Sequence, residues 1–400
     1  MNASSSNDYS LIEITEGNTR LIVPKEALEE SVPPKQPAFY NPAARLNRDI
    51  SIIAYNSLIN DVGLRERTFA DALSGLGARS IRVANEVKGI EEVYINDVNP
   101  FAVSLAERAA MLNNVHAKCR FSINDACRFL IEHSSRGSRF GIIDIDPFGT
   151  PALYVDCALR AVIDEGMISM TATDTPVLNG IYPKVALRRY YSNSIKCEFS
   201  NEIGIRLMLG MLAMVASRLE MGIKPLFVQS TRHYMRVYAQ VNVGARYADT
   251  MPDMLGYAHY CNTCKIRCVS NLDECKVICK NCNKEMSSAG RLWVKAIMDS
   301  SFVNKMYNIS NTFAGFMDKQ CITILNIAKD ELTDTPLYYT LDEISRILKM
   351  RPISIQDMIS MLKANGFKAS RTSLAFKGFR TDASIDDILK IIKDYNNYNK

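Results

Sequence analysis

The run Asp144-Ile145-Asp146-Pro147-Phe148-Gly149-Thr150-Pro151 brings a carboxylate, a rigid proline and an aromatic face to the end of one apolar stretch, Phe140 to Ile145. Such a trio suits a flat substrate with an exocyclic amine. The carboxylate and nearby backbone carbonyls can accept the amine's hydrogens, Phe148 can stack on the ring, and Pro147 fixes the backbone while removing a donor. Asp146, Pro147 and Phe148 are therefore the candidate catalytic residues. An Asp-Pro step after a strand is also an ordinary way to end it with a turn, so the reading depends on what lies upstream.

Upstream, Thr68 to Leu73 predicts a strand, Ser74-Gly75-Leu76-Gly77 a tight turn, and Ala78 to Val87 a helix. Strand, glycine turn and helix form the first unit of a nucleotide-binding fold, and Gly75 and Gly77 let backbone approach a ligand closely. A second strand, Val93 to Asp97, ends in an acid about 20 residues past the glycines, the offset at which a carboxylate meets ribose hydroxyls. A third, Arg120 to Ile123, runs into Asn124-Asp125-Ala126. Asp71, Asp97, Asp125 and Asp146 thus close four successive strands. In a parallel sheet all four line the carboxyl edge, where ligands bind. A helix N-cap explains any one of them but not the set.

The turn lacks the third glycine of a dinucleotide fingerprint and the Gly-Lys-Ser/Thr of a phosphate-binding loop, and an acidic rim repels pyrophosphate. It suits a ribose and a cation instead. S-adenosylmethionine is the expected cofactor, with Asp71 and Asp97 near its sulfonium and ammonium, Asp97 also on the ribose diol, and Asp125 accepting from the adenine amine.

Taken together, Phe39-Tyr40-Asn41-Pro42, Leu46-Asn47-Arg48-Asp49, the Asp71 to Arg79 turn, Asn96-Asp97, Asn124-Asp125-Ala126, Asp144 to Pro151, Thr171 to Asp174 and Asn201 to Gly204 resemble the archaeal branch of the tRNA guanine-26 N2-dimethyltransferase family. The resemblance runs from about Phe39 to Val243 and continues more loosely beyond. It implies that Arg48, Arg79, Asp97, Asp125 and Ala126 contact S-adenosylmethionine with Phe39 close by, and that Asp146 sits at the target amine. An arginine fork can hold the methionine carboxylate through two hydrogen bonds, which fits Arg48. It further implies dimethylation of guanine 26 in tRNA. Two rivals remain on sequence: an amino-methyltransferase for another RNA or DNA base, and a non-catalytic zinc-ribbon RNA-binding protein.

Cys261-x2-Cys264 and Cys279-x2-Cys282, separated by fourteen residues, have the spacing of a four-thiolate zinc ribbon. Four thiolates leave no open position, so the expected Zn2+ is structural. Cys268 and Cys275 could replace a ligand, pair with each other or stay free. Of the eleven cysteines, Cys119, Cys127, Cys157, Cys197 and Cys321 stand singly in apolar segments, where a thiol behaves as a small hydrophobe.

A net charge of +5 decides little. Its distribution says more. Between Gly180 and Arg246 lie Lys184, Arg188, Arg189, Lys196, Arg206, Arg218, Lys224, Arg232, Arg236 and Arg246, interleaved with Tyr182, Tyr190, Tyr191, Tyr234 and Tyr238. Lys265, Arg267, Lys276, Lys280 and Lys284 extend the basic character into the cysteine segment. Cations for phosphates and rings for unstacked bases are what RNA contact needs, so tRNA is the expected partner. The longest uncharged apolar run, Leu207 to Ala216, is too short to span a bilayer, and Asn2 to Ser10 is polar rather than a leader. A cytoplasmic protein, with no obligate protein partner and monomeric, is expected.

These elements predict an α/β architecture: a Rossmann-like, seven-stranded S-adenosylmethionine-dependent methyltransferase sheet, then a C-terminal domain carrying the zinc ribbon and a winged-helix-like unit. The expected boundaries are 1–46 for a proline-rich N-terminal arm, 47–246 for the methyltransferase domain, 247–290 for the zinc ribbon and 291–400 for a tRNA-binding domain. Asn47 is expected to cap a helix reaching Asn60. His233 to Val243 reads as a half-buried antiparallel strand ending the sheet, and Thr340 to Met350 and Ser354 to Asn365 as a helix pair before extended Ala369 to Phe379.

Overall fold

Alternating apolar residues on either side of Gly17-Asn18 fold into an antiparallel hairpin of β1 (Leu11–Glu16) and β2 (Thr19–Pro24), with Gly17 at a φ of +62° in the turn. The computed structural model describes residues 9–30, 32–61, 64–313 and 315–398, so most of the polar Asn2 to Ser10 start lies outside it. The N-terminal segment is therefore more than an arm. Gly-Asn between two β-rich runs is a hairpin signal, and it was legible.

Seven strands form the main sheet: β3 (Thr68–Asp71), β4 (Glu92–Asn96), β5 (Cys119–Ser122), β6 (Phe140–Ile145), β7 (Val162–Ala172), β8 (Met221–Ser230) and β9 (Met235–Val243). Their order is β5-β4-β3-β6-β7-β9-β8. Parallel pairing joins β3 to β4, β3 to β6 and β4 to β5. The strand order reverses between β3 and β6, the switch point at which open α/β sheets bind ligands. All six residues of β6 are buried, as expected of a strand covered on both faces.

β9 does run antiparallel to β8, but it lies inside the sheet and β8 forms the edge. Its expected half-burial is also corrected. Arg236 and Tyr238, counted above among the cations and rings expected to meet RNA, are fully buried. Arg236 Nε donates to the Tyr238 hydroxyl at 2.9 Å and its Nη1 to Thr171, so the polar alternation marks an internal hydrogen-bonded layer.

The chain packs as two compact units: Met1–Asp146, Cys157–Ile168 and Asn308–Ile322 in one, Pro147–Asp156, Ser169–Tyr307 and Thr323–Lys400 in the other. In the first, the Arg45–Asp61 helix starts before Asn47. Asn47 is buried within it and caps nothing; its Oδ1 accepts from Arg79. Cys127 and Cys157 are bonded to each other rather than standing singly.

In the second unit, the apolar run around Leu207 to Ala216 belongs to the Ser200–Ser217 helix, most of whose side chains are buried. Among the described residues no helix is long and apolar enough to cross a membrane. A three-stranded sheet of β10 (Leu255–Tyr260), β11 (Arg267–Asn271) and β12 (Ser287–Trp293) carries the cysteine segment. A second one, in the order β13-β15-β14, joins β13 (Tyr339–Thr340), β14 (Ala369–Arg371) and β15 (Gly378–Thr381). Between β13 and β14 lie the Leu341–Leu348 and Ile355–Ala364 helices, capped by Thr340 and Ser354 side chains. A strand, two helices and a hairpin thus follow one another in this stretch.

Glu202 is the charged centre of the second unit. Its carboxylate meets Arg206 at 2.7 Å and Arg380 at 3.0 Å and accepts from the Leu337 and Tyr338 amides at 3.0 and 3.2 Å. Arg380 Nε also donates to Glu331 at 2.6 Å. Burial alone would raise the Glu202 carboxyl, but Arg380, Arg206 and the Leu337 amide outweigh it and hold it at about 2. A depressed carboxylate stabilises the fold above its unfolded value of 4.5, and that contribution is lost as pH falls through about 2. Glu202→Ala, which strands two buried arginines, should cost roughly 3–5 kcal/mol. Trp293, the single tryptophan, accepts from Arg206 Nη1 through its carbonyl at 2.9 Å, so its fluorescence during denaturation reports the change. An alanine variant as stable as wild type at neutral pH, with the same acid limb, would remove Glu202 from this role.

Candidate active site and metal centre

Within the first unit, the glycine turn has the backbone that its sequence predicts. Gly75 and Gly77 sit at φ of +54° and +78°, and a Cβ at Gly77 would lie 2.7 Å from the Ala106 Cβ, so only glycine fits there. The Gly75 amide donates to Asp97 Oδ2 at 2.7 Å, and the Asn99 amide to Asp97 Oδ1 at 2.9 Å. Asn96 ties the neighbouring strand ends. Its Nδ2 donates to the carbonyls of Ala72 and Asn124 at 3.1 and 3.0 Å, and its Oδ1 accepts from Ser122 at 2.7 Å. Asp125 is exposed and caps the Ala126–Glu132 helix, accepting from the Arg128 amide at 3.0 Å, while Ala126 is buried. The half-buried Phe39 places its carbonyl oxygen 3.4 Å from where a Gly75 Cβ would stand. The turn, Phe39, Asp97, Asp125 and Ala126 thus gather at the carboxyl ends of β3, β4 and β5.

Three of the side chains singled out in the sequence are held by other residues of the fold. Asp71 is 2% exposed, accepts from Ser80 Oγ at 2.6 Å, and offers no surface to a bound cation. Burial, reinforced by the neighbouring Asp144 charge, pushes its carboxyl up to about 7. Arg48 is buried, and its Nε and Nη2 hold the Glu16 carboxylate at 2.6 and 2.5 Å, so the fork expected for a methionine carboxylate is engaged within the fold. Burial alone would raise the Glu16 carboxyl, but Arg48 outweighs it and holds it at about 2. Arg79 is buried against both acids of the β6 end. Its Nε pairs with Asp144 and its Nη2 with Asp146, while Nη1 donates to Ser51 Oγ at 2.6 Å and Nη2 to Asn47 at 3.0 Å. Glu16 and the Arg79 clamp escaped the sequence reading, because each joins residues remote in the chain.

In the second unit, Pro147 is buried and Phe148 is 59% exposed. Gly149 follows at φ +86° and exchanges two hydrogen bonds with Thr173, 2.8 Å to its carbonyl and 2.7 Å from its amide. Thr150 turns inward and donates to the Tyr190 hydroxyl at 2.9 Å. Tyr190 donates in turn to Asp174 at 2.7 Å, and Arg189 closes the set on Asp174 at 2.9 Å.

The sulfur atoms of Cys261, Cys264, Cys279 and Cys282 lie within 4.8 Å of one another. Each Cys-x2-Cys turn ends on a residue at positive φ, Lys265 at +63° and Asn283 at +55°, and the Cys264 amide donates to Cys261 Sγ at 3.3 Å. Four convergent thiols in two matching turns fit a tetrahedral zinc ion. Cys268 and Cys275 are exposed and stand outside the cluster.

The basic region is sorted by burial. Arg206, Arg236, Tyr190, Tyr234 and Tyr238 are interior, and the Arg267 side chain, 3% exposed, pairs with Glu343 and lies over the Phe199 and Tyr339 rings at 4.6 and 4.0 Å. None of these can meet a phosphate. Lys184, Arg188, Lys196, Tyr182 and Tyr191 remain on the surface.

The strand order, the glycine turn and the acids at the carboxyl edge define the class: this is the α/β fold of S-adenosylmethionine-dependent methyltransferases. Within it, the chain belongs to the N2,N2-dimethylguanosine tRNA methyltransferase family, whose sequence model matches residues 17–393. It is 35% identical over 383 residues to the tRNA (guanine(26)-N(2))-dimethyltransferase of Methanothermobacter thermautotrophicus, covering 96% of this chain and 98% of that one. It is 30% identical to the Aquifex aeolicus tRNA (guanine(26)-N(2)/guanine(27)-N(2))-dimethyltransferase, covering 95% of each. The structure of Trm1 from Pyrococcus horikoshii with S-adenosyl-L-methionine superposes with a TM-score of 0.82 at 29% identity, covering 95% of this chain and 99% of that one.

Proposed function

We propose that this chain transfers methyl groups from S-adenosylmethionine to the exocyclic N2 of guanine 26 in tRNA, twice on the same nitrogen, and that it works as a cytoplasmic monomer. The observation that carries the reading is Asp146, which ends β6 at the sheet's switch point with its carboxylate gripped by Arg79, in a chain of this family. The rim acids Asp97 and Asp125 and the glycine turn suit an adenosine carrying a positive tail. Phe39, Gly75, Gly77, Asp97, Asp125 and Ala126 are assigned to the cofactor. Arg48 and Arg79, which Glu16 and the two aspartates orient, are assigned to it as well.

S-adenosylmethionine supplies, when bound, an electrophilic methyl group on a sulfonium. The chain must do the rest. A guanine amine is a poor nucleophile because its lone pair is conjugated with the ring. Asp146, fixed in orientation by Arg79, would accept a hydrogen from that amine together with the Pro147 carbonyl, turning the lone pair out of conjugation and receiving the proton. Phe148 would stack on the base once it has left its own stack. Cys261, Cys264, Cys279 and Cys282 would hold zinc, whose filled shell cross-links the ribbon.

Incubation of the purified chain with unmodified tRNA and labelled S-adenosylmethionine, followed by nucleoside digestion, tests the reading. N2,N2-dimethylguanosine at position 26 is the expected product. Label confined to another nucleoside would move the substrate, and no transfer to any RNA would favour a binding protein.

A further inference from the structure

The Pro183–Tyr190 helix carries two faces of opposite character. Ala186 and Tyr190 are buried, whereas Lys184, Leu187 and Arg188 are exposed and share one side by their spacing of three and four. Tyr182 before the helix and Tyr191, the left-handed residue that closes it, are 55% and 71% exposed, and Leu187 is 52% exposed. Surface rings of this size standing beside unpaired cations are the composition of an RNA-contacting surface rather than of a solvated helix face. The helix contains no acid. Among the described residues its carboxylate partner is Asp174, which is engaged by Arg189 and Tyr190. Among the described residues neither Lys184 nor Arg188 has an ion-pair partner.

Two anchors make this face rigid. Ser192 Oγ donates to the Arg291 carbonyl, and the Asn193 amide donates to the Gly290 carbonyl at 2.7 Å, which pins the helix end to β12. On the buried side, the chain of hydrogen bonds from Thr150 through Tyr190 to Asp174 fastens the helix to the loop that bears Pro147 and Phe148. A strand of RNA lying on this face is therefore held at a fixed offset from Phe148.

We propose that the face made by Tyr182, Lys184, Leu187, Arg188 and Tyr191 binds the tRNA strand flanking the target guanine. Lys184 and Arg188 take phosphates, and Tyr182 and Tyr191 stack on neighbouring bases. The inference deepens the proposed activity and rests on tRNA being the substrate.

The test compares wild type, Lys184→Glu/Arg188→Glu and Tyr191→Ala with a charge-matched control, Lys88→Glu/Lys118→Glu, whose side chains are exposed elsewhere. Unmodified tRNA is the probe, with affinity measured by filter binding at two salt concentrations and S-adenosylmethionine affinity by calorimetry. The helix variants should weaken tRNA binding by about tenfold or more. The double charge reversal should also lower the salt slope by about two. Cofactor affinity and melting temperature should stay at wild-type values. Unchanged tRNA affinity would overturn the proposal and leave the apolar face to a protein partner, as would an equal loss in the control. Because binding is read separately from product, a wild-type chain that binds tRNA through this face without methylating guanine would sink the activity and not the surface.

Discussion

Replacing Asp146 with alanine should lower methyl transfer by about 10²- to 10⁴-fold, the range a positioned acid or base contributes, while cofactor affinity stays near wild type. The separation follows from the geometry. Asp146 meets Arg79, and Arg79 would keep Asp144, Ser51 and Asn47 as partners after the substitution, so the clamp survives the loss of one acid. The Gly75 turn and Asp97 are tied to each other and keep that bond in the variant. Single-turnover transfer to tRNA beside calorimetry with S-adenosylmethionine would show it. A variant that loses cofactor binding in parallel with transfer would place Asp146 in the cofactor pocket and remove it from the amine. Arg79→Lys is the informative companion. One ammonium cannot reproduce a fork that meets two carboxylates, so transfer should fall even though the positive charge is kept.

The second large effect concerns the metal. Around the four thiols the buried cluster consists of Cys261, Cys279 and Met286, with Ile266 and Val277 half-covered beside them. A cluster that small cannot fold a segment by apolar burial. Zinc binding to such sites is worth about 10–16 kcal/mol in isolated peptides, and that energy is folding energy. Cys279→Ser, or exhaustive chelation, should therefore reduce bound zinc from one ion per chain to none and open the segment between Cys261 and Cys282 to protease. Metal analysis and mapped proteolysis would settle the matter together. A serine variant that retains its zinc would mean that Cys268 or Cys275 can step in, contrary to their position outside the cluster.

The features legible in the sequence are those whose chemistry is written locally. Gly75 and Gly77, the acids closing each strand, and the two cysteine turns all announce themselves within a few residues. The roles that escaped are pairings across long stretches of chain. Arg48 meets Glu16 across 32 residues, Arg79 meets Asp146 across 67, and Arg380 meets Glu202 across 178. Periodicity shows which face a residue occupies but not which remote charge waits there. An arginine read as a surface cation can therefore be an interior one, as Arg206, Arg236 and Arg267 are. Asp71 carries the same lesson with the sign reversed. Its place at a strand end is like that of Asp97, yet Ser80 and Asp144 enclose it, and no local pattern separates a rim acid from one sunk below the rim.

Glu202 lies in the first turn of a helix that any outline of the methyltransferase fold would include, yet three of its partners, Leu337, Tyr338 and Arg380, come from the last quarter of the chain. A chain cut after the ribbon would leave Glu202 and Arg206 with only each other, without the Leu337, Tyr338 and Arg380 contacts and the Trp293 and Lys295 carbonyls. The C-terminal segment is thus an internal counter-ion of the fold rather than a module that could be lost, exchanged or transplanted independently.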